Sequence, residues 1–324
     1  MKFYPFVQWI VNNRIRNGSL VGINPFGDEW KQLFEHLANK NVHGAFGDYG
    51  SYDKTLYVTW QKSIMVLYRM FYGVNHPELR IMDLLVEEMI SSYHVVNVNG
   101  KGFLYKWDWG NTSGNFLTSI INGVANYCLI AFAATSIKLG GLENIRRAKS
   151  CDLEFLGPLL KRIAVAIYGD DNAVVPDVDN EDINTLTIQA ALAEIGIEYT
   201  DELKGLQGVA VALKSLMDGS IIGRKFLVDA STYPTCVDPP LRSYSILESL
   251  LWDKTGKETP DITASKCKMA AGELSYHGED KFNTFYPIIR HACELNGIDA
   301  PEFTCHKDAL NYMRSLSLSM YCEY

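Results

Sequence analysis

With 324 residues, 47% of them hydrophobic and 21% charged, the chain has the composition of a folded protein with room for two or three subdomains, which excludes a disordered polypeptide. Its 30 Lys and Arg against 38 Asp and Glu give a formal charge of −8, which argues against a protein that coats nucleic acid through a general basic surface. An enzyme whose chemistry needs clustered carboxylates remains open.

The first ten residues, Met1 to Ile10, are aromatic-rich with a single Lys and lack the pattern of a signal peptide. Ala45 to Asp48 reads as a short strand ending in Asp-Tyr-Gly, followed by a helix through Leu56, Trp60, Ile64, Leu67 and Phe71. A second helix is predicted over about Glu78 to Tyr93. Val95 to Trp107, with Asn99-Gly100 at its centre, has the marks of a tight β-hairpin. Ser113 to about Lys138 is predicted as a long helix closed by Gly140-Gly141. Within it the longest apolar run, about Val124 to Ala134, is interrupted by Asn126 and Tyr127 and falls short of the ~20 residues that cross a bilayer. No transmembrane segment is expected from that run.

Ile163 to Ile167 and Ala173 to Val175 are apolar runs joined by Tyr-Gly-Asp-Asp-Asn, a strand-turn-strand unit. Asp182 to Ile195 reads as a helix ending at Gly196, then Ile197 to Thr200 as extended chain. Ser220 to Val228 suggests a strand pair turning at Arg224-Lys225. The proline-rich Tyr233 to Pro240 marks a boundary, and the rest is predicted helical. The seven cysteines, at 128, 151, 236, 267, 293, 305 and 322, form no CxxC pair and are odd in number. That argues against a zinc ribbon or disulfide framework and fits a reducing compartment. His291 with Cys293 and Cys305 with His306 lack zinc-like spacing and read as coincidence.

Three features carry chemistry. Tyr168-Gly169-Asp170-Asp171 puts two carboxylates at the tip of a hairpin, where they are held yet accessible, as a hard cation requires. Alone, this tripeptide of Gly and Asp also suits a plain surface turn. Asp48 closes the short strand and Asp53 follows five residues later, a pair that could equally be a solvated loop and a helix cap. Combined with the turn, Asp48 supplies the third carboxylate of a two-metal site, in which ions about 3.5–4 Å apart activate the attacking oxygen and stabilise the leaving one. Asn111-Thr112-Ser113-Gly114-Asn115 then leads into a helix where Thr118, Asn122 and Asn126 share one face. That stripe is either solvent-facing or a set of hydrogen-bonding groups for a ribose.

In this order the motifs resemble those of the picornavirus-like RNA-dependent RNA polymerases. Asp48 and Asp53 match the aspartates of the family's motif A; Ser113, Gly114, Thr118 and Asn122 match motif B; Tyr168 to Asp171 match motif C. Gly196 to Lys204 is similar to motif D, with Lys204 at the family's general acid. Ile222 to Leu227 resembles motif E in altered order, Gly-Arg-Lys-Phe-Leu, with Arg224 and Lys225 as candidate RNA-gripping residues. Tyr233-Pro234, Pro239-Pro240 and Glu248 to Trp252 resemble the start of the thumb in insect-virus and marine-virus relatives.

The resemblance implies an α+β fold: a right-hand palm, an antiparallel sheet with packed helices, plus partial fingers and a helical thumb. Residues 1–44 would be a fingers remnant leading into the palm, 45–235 the palm with a fingers insertion at about 60–110, and 236–324 the thumb. It implies template-directed RNA synthesis for a positive-strand RNA virus, with Asp48 and Asp170 ligating two Mg²⁺ ions that Mn²⁺ could replace, and Asp171 assisting. Lys204 would protonate pyrophosphate. Asp53 and Asn122 would select ribonucleotides, since a site built to bond a hydroxyl rejects the analogue lacking it. Template and product RNA, ribonucleoside triphosphates, a genome-linked protein primer and other viral replication proteins are the implied partners. Membrane-associated replication complexes in the host cytoplasm are the implied location. Because Val21 to Pro25 resembles the segment after the family's basic motif F, the chain is expected to be a fragment that polymerises poorly alone. Two alternatives stand beside this reading: a reverse transcriptase, disfavoured by Asp53 where such enzymes carry a bulky aromatic, and a non-catalytic RNA-binding module.

Overall fold

Strands that bury both faces read as unbroken apolar runs, and two such runs pair side by side in the larger sheet of this chain. The computed structural model describes residues 2–107, 110, 114, 116–149, 153–203, 211–232, 235–251 and 259–319. In chain order the elements begin with helices α1 (Tyr4–Asn12) and α2 (Asp28–Ala38), strand β1 (His43–Tyr49), and helices α3 (Tyr52–Thr55), α4 (Val58–Gln61), α5 (Ser63–Tyr72) and α6 (Leu79–Ile90). A hairpin, β2 (Ser92–Val98) and β3 (Lys101–Trp107), precedes the long α7 (Thr118–Leu139), then α8 (Leu142–Arg147) and α9 (Leu156–Leu160). Strands β4 (Ile163–Tyr168) and β5 (Asp171–Pro176), helix α10 (Thr185–Ala193), and the short β6 (Tyr199–Asp201) and β7 (Lys214–Ser215) follow. The remainder comprises β8 (Leu227–Asp229), β9 (Cys236–Asp238), and helices α11 (Ser243–Leu251), α12 (Pro260–Ser275), α13 (Glu279–Leu295) and α14 (His306–Ser319).

These elements gather into two units, one of Met1–Gly22 with His36–Ser215 and one of Ile23–Glu35 with Leu216–Tyr324. In the first, an antiparallel sheet runs β4-β5-β1-β6, with β7 also paired to β1. Helices α7 and α10 cover one face: Ala125, Leu129 and Ala133 of α7 and Ile188 and Leu192 of α10 pack with Ala45, Tyr49 and Val174 of the sheet. A second core joins Phe6 and Ile10 of α1, Ile64 and Tyr68 of α5, Met82 and Val86 of α6, and the first turn of α7. A sheet layered with helices is the α+β class expected.

Several expectations need correction. The helix after Asp53 is three short helices, α3 to α5, and the second ends at Ile90, so that Ser92 already belongs to the hairpin. The hairpin turn itself is as read: Asn99 and Gly100 have φ of 52° and 79°, the left-handed values of a two-residue turn. Helix α7 has 22 residues and is apolar enough to span a bilayer by length and composition, which the broken apolar run did not suggest. Most of it is buried as the central helix of the first unit. Its polar stripe is not solvent-facing either, since Asn122 and Asn126 are buried.

The strand pair expected over Ser220 to Val228 is displaced. A single bridge joins Ile221 and Arg224 around a turn at Ile222-Gly223, and the regular pairing is β8 with β9. Ile222 takes φ 49°, which costs a β-branched residue about 1–2 kcal/mol, so residue preferences favour a turn elsewhere. Of the proline-rich stretch, residues 235–240 lie within the second unit. That unit's core is Ile246, Ala271, Leu274, Phe282, Ile289 and Ala309 from the four last helices, with Trp30 and Phe226 stacked at 4.8 Å.

Candidate active site

The sheet register decides where the acidic motifs meet. Strand β1 pairs with β5 through Ala45–Val174, Phe46–Ala173 and Gly47–Asn172, so one further step aligns Asp48 with Asp171. In β4 and β5, Tyr168 pairs with Asp171, leaving Gly169 and Asp170 as a two-residue turn whose first position, at φ 64°, suits glycine. On its other edge Asp48 pairs with Thr200 of β6. Asp48 and the adjacent Asp170 and Asp171, far from it in sequence, thus share one end of one sheet, with Asp170 exposed and Asp48 and Asp171 half-buried. The Asp48 carboxylate accepts the Tyr49 backbone N–H at 2.7 Å.

The donor chemistry fits a hard divalent cation, being carboxylate oxygen from adjoining strands. Among the described residues, however, no three His, Cys, Asp or Glu side chains are gathered so as to hold a metal ion.

Beneath the turn lies a buried polar layer that the motifs did not reveal. Asn126 of α7 donates through Nδ2 to the carbonyls of Gly169 and Asp170, each at 3.0 Å. Asn172 donates to the same Asp170 carbonyl at 3.2 Å. The Tyr49 hydroxyl donates to Asn126 Oδ1 at 2.9 Å, and that of Tyr199 to Asn172 Oδ1 at 2.8 Å. Burial pushes the Tyr49 phenol well above its usual range, with Tyr52, Tyr199, Asp170 and Asp48 adding to the effect. Burial, then Glu202, Asp171 and Asp48, does the same to Tyr199. Both hydroxyls therefore keep their protons and act as donors. A Cβ at Gly47 would lie 1.8 Å from the Tyr199 hydroxyl, so only glycine leaves room for that ring. The one available signal was weak: an Asn directly after the aspartates, and another four residues beyond Asn122.

Of the other candidates, Asn122 is buried and its carbonyl accepts the Tyr52 hydroxyl at 2.9 Å. Thr118 opens α7, half-buried, and Gly114 is exposed at φ 88°. Asp53 lies in α3; its side chain, like Ser113 and Lys204 altogether, is outside the described residues. Arg224 and Lys225 belong to the second unit. Arg224 is turned inward: its guanidinium donates to Glu273 at 2.7 and 3.2 Å and to the Pro239 carbonyl at 2.6 Å, and lies over the Phe26 ring. That engagement ties its guanidinium to other residues of the second unit. Lys225 is exposed.

An antiparallel sheet that presents acidic groups at a hairpin tip and on the neighbouring strand, with helices behind it, is the architecture of a polymerase palm. Residues 1–292 match the profile of the viral RNA-dependent RNA polymerases, and the chain belongs to that family. It is 27% identical over 291 residues to the replicase polyprotein of Drosophila C virus (strain EB), covering 87% of this chain and 16% of that protein. To the replicase polyprotein of acute bee paralysis virus (strain Rothamsted) it is 26% identical over 299 residues, covering 90% and 15%. The RNA1 polyprotein of cherry rasp leaf virus is 29% identical over 303 residues, covering 90% and 13%. The chain thus spans less than a fifth of each of these polyproteins. Among solved structures, the Sicinivirus 3Dpol RNA-dependent RNA polymerase superimposes with a TM-score of 0.72 at 17% identity, over 98% of this chain and 60% of that one, a likeness of fold.

Proposed function

We propose that this chain forms the palm and thumb of an RNA-directed RNA polymerase that copies the genome of a positive-strand RNA virus by metal-assisted nucleotidyl transfer. The observation that carries the reading is the strand register that brings Asp48 beside the Gly169-Asp170-Asp171 turn. Asp48 and Asp170 would hold two Mg²⁺ ions, or Mn²⁺ in their place, with Asp171 alongside. Bound there, the cations would supply a lowered pKa at the primer 3′-hydroxyl and neutralise charge on the triphosphate.

The chain's own residues do the rest. Asp53 and Asn122 discriminate the ribose hydroxyl, with Ser113, Gly114 and Thr118 shaping the loop and helix start beside it. Asn122 is held for this by burial at the start of α7 and by the Tyr52 bond to its carbonyl. Lys204, following β6, donates the proton to pyrophosphate. Lys225 is the exposed cation suited to an RNA phosphate. Base choice comes from the template. Template and product RNA, ribonucleoside triphosphates, a genome-linked peptide primer and the remaining replication proteins are the partners of this reading, and membrane-associated complexes in the host cytoplasm its setting.

The test is template-directed incorporation of ribonucleotides by the chain, and by the chain fused behind a fingers segment of a related polymerase, each beside its Asp170→Asn variant. Incorporation should fall at least about a hundredfold with Asp170→Asn, the scale of losing a group that stabilises transition-state charge. Equal incorporation by the fused chain and its Asp170→Asn variant would sink the catalytic assignment.

A further inference from the structure

The carboxylates at the hairpin tip are useful only if the turn that carries them is held still, and beyond its closing Tyr168–Asp171 pair a two-residue turn has little internal means of doing so. Gly169 frees its own backbone, and Asp170 is exposed. What meets the turn from below is a pair of amides. Asn126, from α7, and Asn172, from β5, both donate to the Asp170 carbonyl, and Asn126 reaches the Gly169 carbonyl as well. Both asparagines are fully buried.

An amide can present oxygen or nitrogen, and only nitrogen bonds a carbonyl. Each asparagine is oriented by a tyrosine: Tyr49 donates to Asn126 Oδ1, and Tyr199 to Asn172 Oδ1. The two rings lie edge to face at 5.1 Å within the core of the first unit. The chain of bonds therefore runs from packed aromatic rings, through two amides, to the backbone of one aspartate.

We propose that Tyr49–Asn126 and Tyr199–Asn172 form a two-armed clamp that positions Asp170, making these four residues positioning residues for cation binding at the hairpin tip. The inference rests on the reading of Asp170 as a metal ligand, but the clamp itself is a statement about the turn. Buried polar networks of this kind pin one conformation when every member is satisfied, and here each amide has both its oxygen and its nitrogen engaged. Removing a tyrosine hydroxyl leaves the ring's packing in place and frees only the amide's orientation, which separates positioning from mere support of the core.

The experiment uses the whole 324-residue chain, with Tyr49→Phe/Tyr199→Phe, Asn126→Ala and, as control, Tyr286→Phe. The Tyr286 hydroxyl is also buried and bonded, to the carbonyls of Pro301 and Phe303 in the second unit. Amide hydrogen exchange of the segment spanning residues 163–176 and Mn²⁺ affinity by paramagnetic resonance are measured for each. In the tyrosine double variant and in Asn126→Ala, exchange at the turn should speed and Mn²⁺ affinity weaken, each by about tenfold, the worth of a typical buried hydrogen bond. Tyr286→Phe should change neither. Turn exchange at the wild-type rate in both test variants, or changed equally in the control, overturns the clamp. If wild-type and Asp170→Asn chains bind Mn²⁺ alike, the metal-ligand reading fails, while the exchange rates still judge the clamp.

Discussion

A phenol sealed among apolar side chains resists ionisation, because the anion would lose its hydration. Tyr68 illustrates this away from the hairpin tip: burial raises its pKa far above the usual value, and the Asp83 carboxylate that accepts its hydroxyl adds to the shift. Folding thus holds a proton that the unfolded chain releases above about pH 10. Its contribution to stability is complete below that pH and is lost as pH rises towards the folded pKa. Denaturant titrations between pH 8 and about pH 11 should show stability falling at the alkaline end, with a shallower fall in Tyr68→Phe. An identical slope in the two proteins would remove Tyr68 as a source. At this scale the acidic motif residues were legible, because Asp48 and Asp170-Asp171 announce themselves as charges at the ends of apolar runs. Asn126 and Asn172 were not, since an amide in an apolar run says nothing of its partner until the strand register is known.

At the scale of elements, the second unit depends on an ion pair that joins the Ile222-Gly223 turn to α12. Arg224 and Glu273 are both largely buried, and their bidentate contact is closed over by Phe26 and the Pro239 carbonyl. Breaking such a pair strands a charge in the interior, which costs about 3–5 kcal/mol, whereas replacing both partners by apolar groups is often neutral. Arg224→Met should therefore lower the unfolding midpoint of the second unit strongly, and Arg224→Met with Glu273→Leu should recover most of it. Lys225→Ala, at an exposed neighbour, should stay within about 0.5 kcal/mol of wild type. Calorimetry that found the single and double variants equally damaged would contradict this account. The element order here was harder to read than in the first unit. Alternating and continuous apolar runs expose β4, β5 and the β2–β3 hairpin, but the turn at Ile222 violates residue preference, so the chain's true reversal was hidden. Length misled too: the helix was expected, but its apolar run looked short because Asn126 and Tyr127 interrupt it, whereas the fold tolerates Asn126 by giving its amide partners on the turn.

For the molecule as a whole, the acidic balance of −8 and the placement of three aspartates at one sheet end bear on the same quantity, the linkage between cation binding and folding. A ligand that binds the folded chain alone stabilises it by about 2.7 kcal/mol at a hundred times its dissociation constant. For a unit of this size that is a rise of roughly 5–10 °C in midpoint. Melting followed in rising MgCl₂ or MnCl₂, against KCl at matched ionic strength, should show that rise in the transition of the first unit and not in that of the second. The general charge of −8 would respond to KCl equally well, so only the difference between the salts counts. Asp170→Asn makes the argument sharper because its two effects have opposite signs. Without divalent cation it relieves repulsion between carboxylates and should leave the midpoint unchanged or slightly higher. With divalent cation it should forfeit most of the rise. A variant that loses stability in both conditions would mark Asp170 as a structural residue, and one that keeps the full metal-dependent rise would remove it from the cation site.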